Sequence, residues 1–299
     1  MLTNPATENP AYPRGRPRVM VLGSAALASV NAQADRLRQT IERHADLALW
    51  DLGFQTDLAH VDADLAIVLG GDGSILRAAY QMGYRQVPVV GVNLGKLGFL
   101  ADLSPDEFVA AFPKICSEAP RVVEHLMLDC RLQKQGAADA AGQLGLNEVA
   151  ILGGKPFAML EVHLYVDAEL VTTYSCDGLI VSTPVGSTAH SLSAGGPILR
   201  KDLQAFVISP ISPHALTNRP VVDSADRVYE LVVPRPHAGT AVVIDGRVFA
   251  SLDAGDRIRI QRASPRFKLV EVAGHSYYRT LRHKLGWSGS LRSGDPRPG

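Results

Sequence analysis

The first part of the chain alternates short, continuous apolar runs with segments whose apolar residues recur every three or four positions. The apolar runs lie at 18–23, 65–70 and 87–93 and lack the polar alternation of a strand with one wet face. They predict strands buried on both faces of a largely parallel sheet. The helical pattern covers 31–44 and 74–82, so this part of the chain is predicted to be α/β.

A third helix is predicted by Ser104-Pro105-Asp106-Glu107, which forms a capping box with proline at the first helical position. Beyond about Val122 the pattern changes to β-branched and polar residues in alternation, interrupted by Gly, Asp and Pro. This second part is predicted to be mainly β. Near the end, Tyr278, Leu281 and Leu285 have helical spacing and predict a terminal helix packed on another element. The turn-forming residues of the β part include Asp245-Gly246.

Composition points to a small-molecule partner. The 299 residues are 46% hydrophobic, with 30 basic and 30 acidic side chains, so no net field attracts nucleic acid or an anionic membrane. No apolar run approaches the roughly 20 residues that span a bilayer, and residues 1–16 lack the apolar core of a secretory signal. Cys116, Cys130 and Cys176 show neither a disulfide framework nor a metal pair, which indicates a reducing, cytoplasmic location.

The segment Gly70-Gly71-Asp72-Gly73-Ser74 follows a predicted strand and precedes a predicted helix. Open α/β sheets bind ligands at this carboxyl end of a strand. Glycines let backbone N–H groups approach an anion, and the helix N-terminus adds positive charge, so a phosphate-bearing ligand is predicted. Asp72 repels phosphate, which indicates proton acceptance or contact with a sugar hydroxyl. The alternative is a turn aspartate bonded to its own backbone.

Two further segments are weaker signals. The next strand ends in GVNLGKLGFL at 91–100, a second glycine-rich exit that is not a Walker A loop because no Ser or Thr follows the lysine. Lys96 is either a phosphate contact or a solvated surface charge. Asn147 and Glu148 precede an apolar run and either bond vicinal ribose hydroxyls or form a turn.

The densest signal is DGLIVSTPVGSTAHSLSAGGP at 177–197. Small residues and hydroxyls occur here more often than a hydrophobic core requires. Pro184 and Gly186 predict a turn after a strand, and the segment 187–193 predicts a helix start that offers hydroxyls and N–H donors to a polar ligand. A serine-rich loop without a ligand is the alternative.

Taken in this order, the motifs resemble those of the NAD kinases, over about Asp64 to Trp287. The matching segments are GGDGS (70–74), GVNLGKLGFL (91–100), NE (147–148), DGLIVSTPVGSTAHSLSAGGPI (177–198), ISPHALTNRP (211–220) and YYRTLRHKLGW (277–287). The GGDG loop also occurs in lipid kinases and phosphofructokinases, so the long 177–198 segment carries the identification. The resemblance implies phosphorylation of the adenosine 2′-hydroxyl of NAD by magnesium-bound ATP to give NADP.

The resemblance also implies the domain organisation. It gives an N-terminal α/β domain with a Rossmann-like parallel sheet over 17–122 plus 272–288, and a C-terminal β-rich domain over 123–271. The terminal helix would pack back on the first domain, with NAD in the cleft between the two domains. We expect disordered tails at 1–16 and 289–299.

By resemblance, Asp72 matches the family's catalytic aspartate, which takes the proton from the 2′-hydroxyl. Gly70, Gly71, Ser74 and Lys96 would then belong to the phosphate-donor loop. The positions that match substrate-binding residues of the family are Gly73, Phe99, Asn147, Glu148, Asp177, Thr188, Ala189, His190, Ser193 and, less directly, Asp245. No residue is predicted to be a metal ligand, since Mg²⁺ or another divalent ion would be bound with ATP.

Several positions depart from the family pattern. Ser74 replaces a common threonine and keeps the hydroxyl, whereas Val185 loses one and His190 replaces an aromatic tyrosine with a titratable ring. These changes bear on substrate affinity rather than on the class of reaction. Ser175 is a small neutral residue where relatives carry either a charged or a neutral one, and the neutral kind implies some activity with NADH.

Two rival functions share part of this pattern. A lipid or sphingoid-base kinase would use the same glycine-aspartate loop, but the 177–198 segment and the absence of a basic amphipathic stretch speak against it. A non-catalytic NADP-binding sensor would gain nothing from Asp72 beside a phosphate. The sequence leaves open whether ATP or polyphosphate is the donor. The family implies a homodimer or homotetramer.

Overall fold

The computed structural model describes residue 12 and residues 15–95, 97–136, 142–154, 159–215, 217–272, 274 and 277–286. The chain divides into two compact units, one built mainly from 1–78, 87–123 and 269–299 and the other from 79–86 and 124–268. Most of both predicted tails, together with Lys96, lies outside the described residues. Within the described part, no helix is long and apolar enough to cross a membrane.

The first unit contains a six-stranded sheet in the order β2-β1-β3-β4-β18-β5. Its strands are β1 (Arg18–Gly23), β2 (Asp46–Asp51), β3 (Leu65–Leu69), β4 (Val89–Val92), β5 (Arg121–His125) and β18 (Phe267–Glu271). Neighbours from β2 to β18 pair in parallel. The helices are α1 (Ala28–His44), α2 (Asp72–Met82), α3 (Pro105–Ser117) and the terminal α5 (Tyr277–Leu285). This arrangement confirms the predicted α/β fold with a parallel sheet.

The core of the first unit lies between this sheet and two helices. Val21 and Ile67 of the central strands are fully buried against Leu37 of α1 and Phe108 of α3. The α3 helix begins with the predicted capping box: the Ser104 side chain accepts the backbone N–H of Glu107, and the Glu107 side chain accepts the backbone N–H of Ser104. Continuous apolar runs therefore became strands buried on both faces, as their pattern predicts.

Three strands of the first sheet, β2, β5 and β18, were not predicted. The β2 strand, DLALWD, is a half-buried edge strand, and acidic residues at both ends limit its apolar run to the four residues 47–50. The β18 strand comes after the entire β-rich part of the chain, and Leu269 pairs with Val89 of β4. No local pattern distinguishes β18 from the β-strands that precede it.

Two predictions about the ends of the chain need correction. Tyr12, within the predicted tail, is 6% exposed and its hydroxyl donates to the carbonyl of Ile115 at 3.0 Å. Arg16 donates to the carbonyl of Ala45 at 3.0 Å, so these two residues are anchored. In α5, Leu281 is buried as predicted, but Tyr278 is 57% exposed and does not contribute to the buried face.

The second unit packs two antiparallel six-stranded sheets on one core. One sheet has the order β10-β9-β14-β17-β6-β7 and the other β13-β12-β11-β8-β15-β16. The strands are β6 (Leu128–Gln133), β7 (Gly142–Gly145), β8 (Glu148–Leu152), β9 (Leu160–Val166), β10 (Glu169–Cys176), β11 (Gly178–Ser182), β12 (Ala205–Ile211), β13 (Val221–Ser224), β14 (Tyr229–Val232), β15 (Ala241–Ile244), β16 (Arg247–Ser251) and β17 (Arg257–Arg262). The rings of Phe206 and Tyr229 meet edge to face at 5.7 Å between the sheets.

Candidate active site

Asp72 is the first residue of α2 and follows β3 after two glycines. Its half-buried carboxylate is held by the loop that leaves β4: Oδ2 accepts the N–H of Phe99 at 2.7 Å. Oδ1 accepts the N–H groups of Leu100 and Ala101 at 2.9 and 3.0 Å. A carboxylate has about four acceptor positions, so Oδ2, which takes one of these three bonds, retains capacity for a substrate hydroxyl.

Two glycines allow the loop to approach this close to α2. A Cβ on Gly98 would overlap the carboxyl group of Asp72 and would stand 2.9 Å from the carbonyl oxygen of Ala101. A Cβ on Gly91 would stand 2.8 Å from the side chain of Ile75. A side chain at position 98 would therefore displace the loop that carries the three N–H donors to Asp72, whereas one at position 91 would require the end of the Ile75 side chain to move and would crowd the same loop.

The glycines of the 70–74 loop are glycine for different structural reasons. Gly70 has φ +143°, and a Cβ there would overlap the hydroxyl of Ser74. For Gly71 and Gly73, no atom of the described residues lies within 4 Å of the position that a Cβ would occupy. Internal packing does not require glycine at these two positions. What their missing side chains provide is unobstructed access to the backbone at the start of a helix.

Asn93 organises the second glycine-rich loop, and sequence reasoning did not select it. It is 8% exposed, and its Nδ2 donates to the carbonyl of Ala101 at 3.1 Å while its Oδ1 accepts the N–H of Gly95 at 2.8 Å. An asparagine at the end of a buried apolar run was the available signal. Nearby, the Nζ of Lys284 in α5 lies 4.6 Å from the centre of the Phe99 ring, a cation–π contact within the first unit.

In the second unit, the carboxylate of Asp245 accepts three backbone N–H groups, as that of Asp72 does in the first unit. It lies in the turn between β15 and β16 with a left-handed backbone, φ 48°. Its carboxylate accepts the N–H groups of Leu146, Asn147 and Glu148 at 2.8, 2.7 and 3.1 Å. Burial raises the pKa of Asp245, while these three donors and the charge of Arg247 act in the opposite direction.

Glu148 is almost enclosed, with 6% of the residue exposed at the start of β8. Burial, and to a lesser extent the charge of Asp245, raise the pKa of Glu148 to about 8. A hydrogen bond from the backbone N–H of His190 lowers this pKa, but by less. Its Oε2 is buried and has no hydrogen-bond partner among the described residues. The carboxyl group of Glu148 is therefore mostly protonated at neutral pH.

The 177–197 segment forms β11, a 3-10 turn at Gly186–Thr188 and the short α4 (His190–Ser193). Thr183 donates to the carbonyl of Leu146 at 2.6 Å, and Ser187 accepts the N–H of Leu199 at 2.9 Å. The fully buried hydroxyl residues of this segment are Ser182, Thr183, Ser187 and Ser191. The expectation that the hydroxyls of 187–193 face a ligand is wrong for Ser187 and Ser191, because they bond within the protein.

The predicted contact residues of this segment lie near both ends of β11. Thr188, Ala189 and His190 are half-buried and Ser193 is exposed, all after the end that pairs with Glu148. The opposite end carries exposed Asp177 and, in β10, half-buried Ser175. The five residues of β11 extend about 17 Å.

His214 was not predicted as a site residue, although it belongs to the ISPHALTNRP motif. It lies beside Ser175 and Asp177. Its backbone N–H donates to the carbonyl of Ser175 at 2.9 Å, and its Nε2 lies 3.7 Å from Oδ1 of Asp177.

For the predicted cofactor metal, no group of three or more His, Cys, Asp or Glu side chains within the described ranges is placed to hold an ion.

Comparison with known proteins identifies the family. The profile of the ATP-NAD kinase N-terminal domain matches residues 18–119, and that of the C-terminal domain matches residues 146–272. An NAD kinase of Rhodopirellula baltica is 54% identical over 92% of this chain and 88% of its own length. An NAD kinase of Geotalea daltonii is 42% identical over 75% of this chain and 79% of its own length.

Solved structures agree with this grouping. The crystal structure of an NAD kinase from Archaeoglobus fulgidus in complex with ATP superposes with a TM-score of 0.71 at 28% identity, covering 91% of this chain and all of that one. The yeast NADH kinase complexed with NADH superposes with a TM-score of 0.83 over 93% of this chain and 90% of that one, and at 22% identity it supports the fold. With both domain profiles matched and a 54% identical relative along nearly its whole length, the chain belongs to the NAD kinase family.

Proposed function

We propose that this protein transfers the terminal phosphate of ATP to the 2′-hydroxyl of the adenosine ribose of NAD and so makes NADP. The observation that carries the proposal is the Asp72 carboxylate, which three backbone N–H groups hold at the start of α2 with acceptor capacity remaining on Oδ2. Membership of the NAD kinase family supports the choice of substrates.

In this reaction Asp72 acts as the general base. Its Oδ2 accepts the proton of the 2′-hydroxyl as the ribose oxygen attacks the γ-phosphorus in line, and the bond from the γ-phosphorus to the bridging oxygen breaks to release ADP. The rest of the acceleration comes from positioning and charge neutralisation.

The ATP phosphates are assigned to the loop at Gly70, Gly71 and Ser74, next to Gly73. The open space beside Gly71 and Gly73 supports this assignment, since an anion can reach the backbone at the start of α2. Mg²⁺ fits as an ion that arrives on the ATP phosphates, because it needs only one or two protein carboxylates in such sites. When bound, it neutralises phosphate charge. Inorganic polyphosphate would present similar anions to this loop and is an alternative donor.

The dinucleotide is assigned to residues that line both ends of β11 in the second unit, with Phe99 near the adenylate. The proposed contacts are Asn147, Glu148, Ser175, Asp177, Thr188, Ala189, His190 and Ser193, with Asp245 beside them. The separation of about 17 Å along β11 suits an extended ligand with two different ends. Because Ser175 adds no charge, we expect NADH to be phosphorylated as well as NAD.

The test is the formation of NADP from NAD, with magnesium-ATP and with magnesium-polyphosphate as donors. NADP formation supports the proposal, and the donor that serves is identified directly. Binding of NADP without turnover would favour the non-catalytic sensor. Phosphorylation of a sphingoid base, with none of NAD, would favour the lipid kinase.

Two further proposals concern the setting of the enzyme. We place it in the cytoplasm, since all three cysteines are buried thiols rather than disulfides. We also propose a homo-oligomer, a dimer or a tetramer. Leu170 and Val171 lie on the edge strand β10 of the second unit, and Val221 lies on the edge strand β13. Each of these residues has about half of its surface exposed. The ion pair of Arg227 and Asp167 lies beside them, so the apolar patch has a polar margin.

A further inference from the structure

Glu148 and Asp245 are neighbours in the second unit, and one hydrogen-bond network contains both residues. The N–H of Asp245 donates to the carbonyl of Glu148 at 3.1 Å, and the N–H of Glu148 donates back to Oδ1 of Asp245 at 3.1 Å. This reciprocal pair joins the turn after β15 to the start of β8. Two ionised carboxylates in so enclosed a position would repel each other strongly.

The hydrogen bonds determine which group carries the charge. Asp245 receives three backbone N–H donors, which favour its ionised form. Glu148 receives one, from His190, and its Oε2 is buried and has no partner among the described residues. An unpaired buried oxygen costs least when the group that carries it is neutral. The proton therefore belongs on Glu148 and the negative charge on Asp245.

The same network reaches two segments that are assigned to the substrate. Asp245 fixes the backbone of Asn147, while the carboxyl of Glu148 takes the N–H of His190 at the first residue of α4. The three donors to Asp245 all belong to the segment 146–148, so Asp245 acts on the site by fixing the backbone of that segment.

We propose that the pair formed by Asp245 and Glu148 holds a single proton at neutral pH, carried by Glu148, and that this pair positions Asn147 and His190 for the dinucleotide. Asp245 is then a positioning residue, and the inference rests on the proposed function only for the identity of the dinucleotide. Among the described residues, the charged groups that act on the pair are its own two members and Arg247 of β16, which lies near Asp245.

Ionisation of Glu148 at alkaline pH puts a second negative charge into the network and loosens both segments. For a group with a pKa of about 8, the protonated fraction falls about tenfold between pH 7 and pH 9. We expect the KM for NAD to rise about tenfold over that interval, with a much smaller change in kcat.

The variants separate charge from structure. Glu148→Gln cannot ionise, so the ratio of its KM values at pH 9 and pH 7 is expected to be close to one, whatever its absolute affinity. Asp245→Asn removes the neighbouring charge, so the rise in KM is expected to begin at lower pH. Glu230→Gln, a matched change at a glutamate paired with Arg257 in β17, is expected to keep the wild-type ratio.

An infrared difference spectrum of wild type minus Glu148→Gln gives a readout that needs no turnover. A protonated carboxyl band at pH 7 that disappears on titration to pH 9 supports the pair. Absence of that band overturns the inference, as does a Glu148→Gln variant that keeps the tenfold rise in KM. A protein that makes no NADP contradicts the proposed function instead, and the infrared titration then decides on the carboxyl pair alone.

Discussion

Three aspartates in this protein each accept three backbone N–H groups with one carboxylate. Asp51 accepts the N–H groups of the loop that follows β2, Asp72 those of the loop that follows β4, and Asp245 those of the segment before β8. Each carboxylate replaces water as the acceptor for three donors. Of the three, Asp72 alone follows the glycine-rich loop and begins a helix.

The role of Asp72 is tested by Asp72→Asn. An amide has similar shape but cannot take a proton, so we expect the rate of NADP formation to fall about 100-fold or more, with a smaller change in KM. Asp51→Asn is the matched control, because it also weakens a three-donor carboxylate within the first unit but lies outside the proposed site. Equal loss of kcat in both variants would contradict the assignment of Asp72 as the base.

Asp51 predicts a pH dependence of stability. Burial disfavours its charge, but the N–H groups of Thr56, Gly53 and Gln55, together with the Thr56 hydroxyl, outweigh burial and lower the pKa of Asp51 to about 2. A carboxyl whose folded-state pKa is depressed contributes stability above its unfolded pKa and loses that contribution as pH falls through the folded value. Its contribution is therefore complete above about pH 5 and disappears toward about pH 2.

Urea unfolding of wild type and Asp51→Asn at several acidic pH values measures this contribution. We expect the difference in the free energy of unfolding to be larger at about pH 5 than at about pH 2.5. A difference that does not change with pH would show that Asp51 contributes through the shape of its loop rather than through its charge.

At the scale of elements, the site of the first unit depends on how two strands end. β3 ends in a glycine loop that starts α2, and β4 ends in a second glycine loop that supplies donors to the first residue of that helix. Both strands are parallel neighbours, so their carboxyl ends lie at the same edge of the sheet. Gly98 allows the second loop to reach the helix.

The two glycines before Asp72 should respond differently to alanine. Gly70→Ala places a Cβ on the Ser74 hydroxyl at a positive φ, so we expect lower stability by about 1 kcal/mol or more. Gly71→Ala meets no described atom within 4 Å, so we expect unchanged stability but a higher KM for ATP. Thermal unfolding and ATP titrations of both variants test this, and equal effects of the two on stability would contradict it.

At the scale of the whole molecule, each of the two units buries its own core. The first unit places β18, which follows the whole β-rich part of the chain, between β4 and β5 of its sheet, so this unit is not a single continuous stretch of sequence. The second unit leaves β10 and β13 as sheet edges on which large apolar side chains are exposed. Such edges commonly pair with another chain.

The proposed homo-oligomer is tested by light scattering of the full chain. We expect a mass that is a multiple of the 32.0 kDa protomer, and a shift toward the monomer when Val171 and Val221 are both changed to lysine. Val248→Lys is the matched control, since Val248 is 73% exposed on β16, the edge strand at the far end of the sheet that begins with β13. A monomeric wild type, or dissociation by Val248→Lys alone, would contradict this interface.

The sequence by itself determined the elements whose pattern is local: the continuous apolar strands β1, β3 and β4, the capped α3 and the glycine loop before Asp72. It also determined the family, through ordered motifs that depend on side-chain chemistry. Tertiary structure decided what depends on partners distant in the chain. It placed β18 in the first sheet and buried Tyr12, Ser187 and Ser191. It also made the carboxylate of Asp245 the acceptor for three backbone N–H groups. Hydrogen-bond partners about 30 to 100 positions away leave no periodic trace in the sequence.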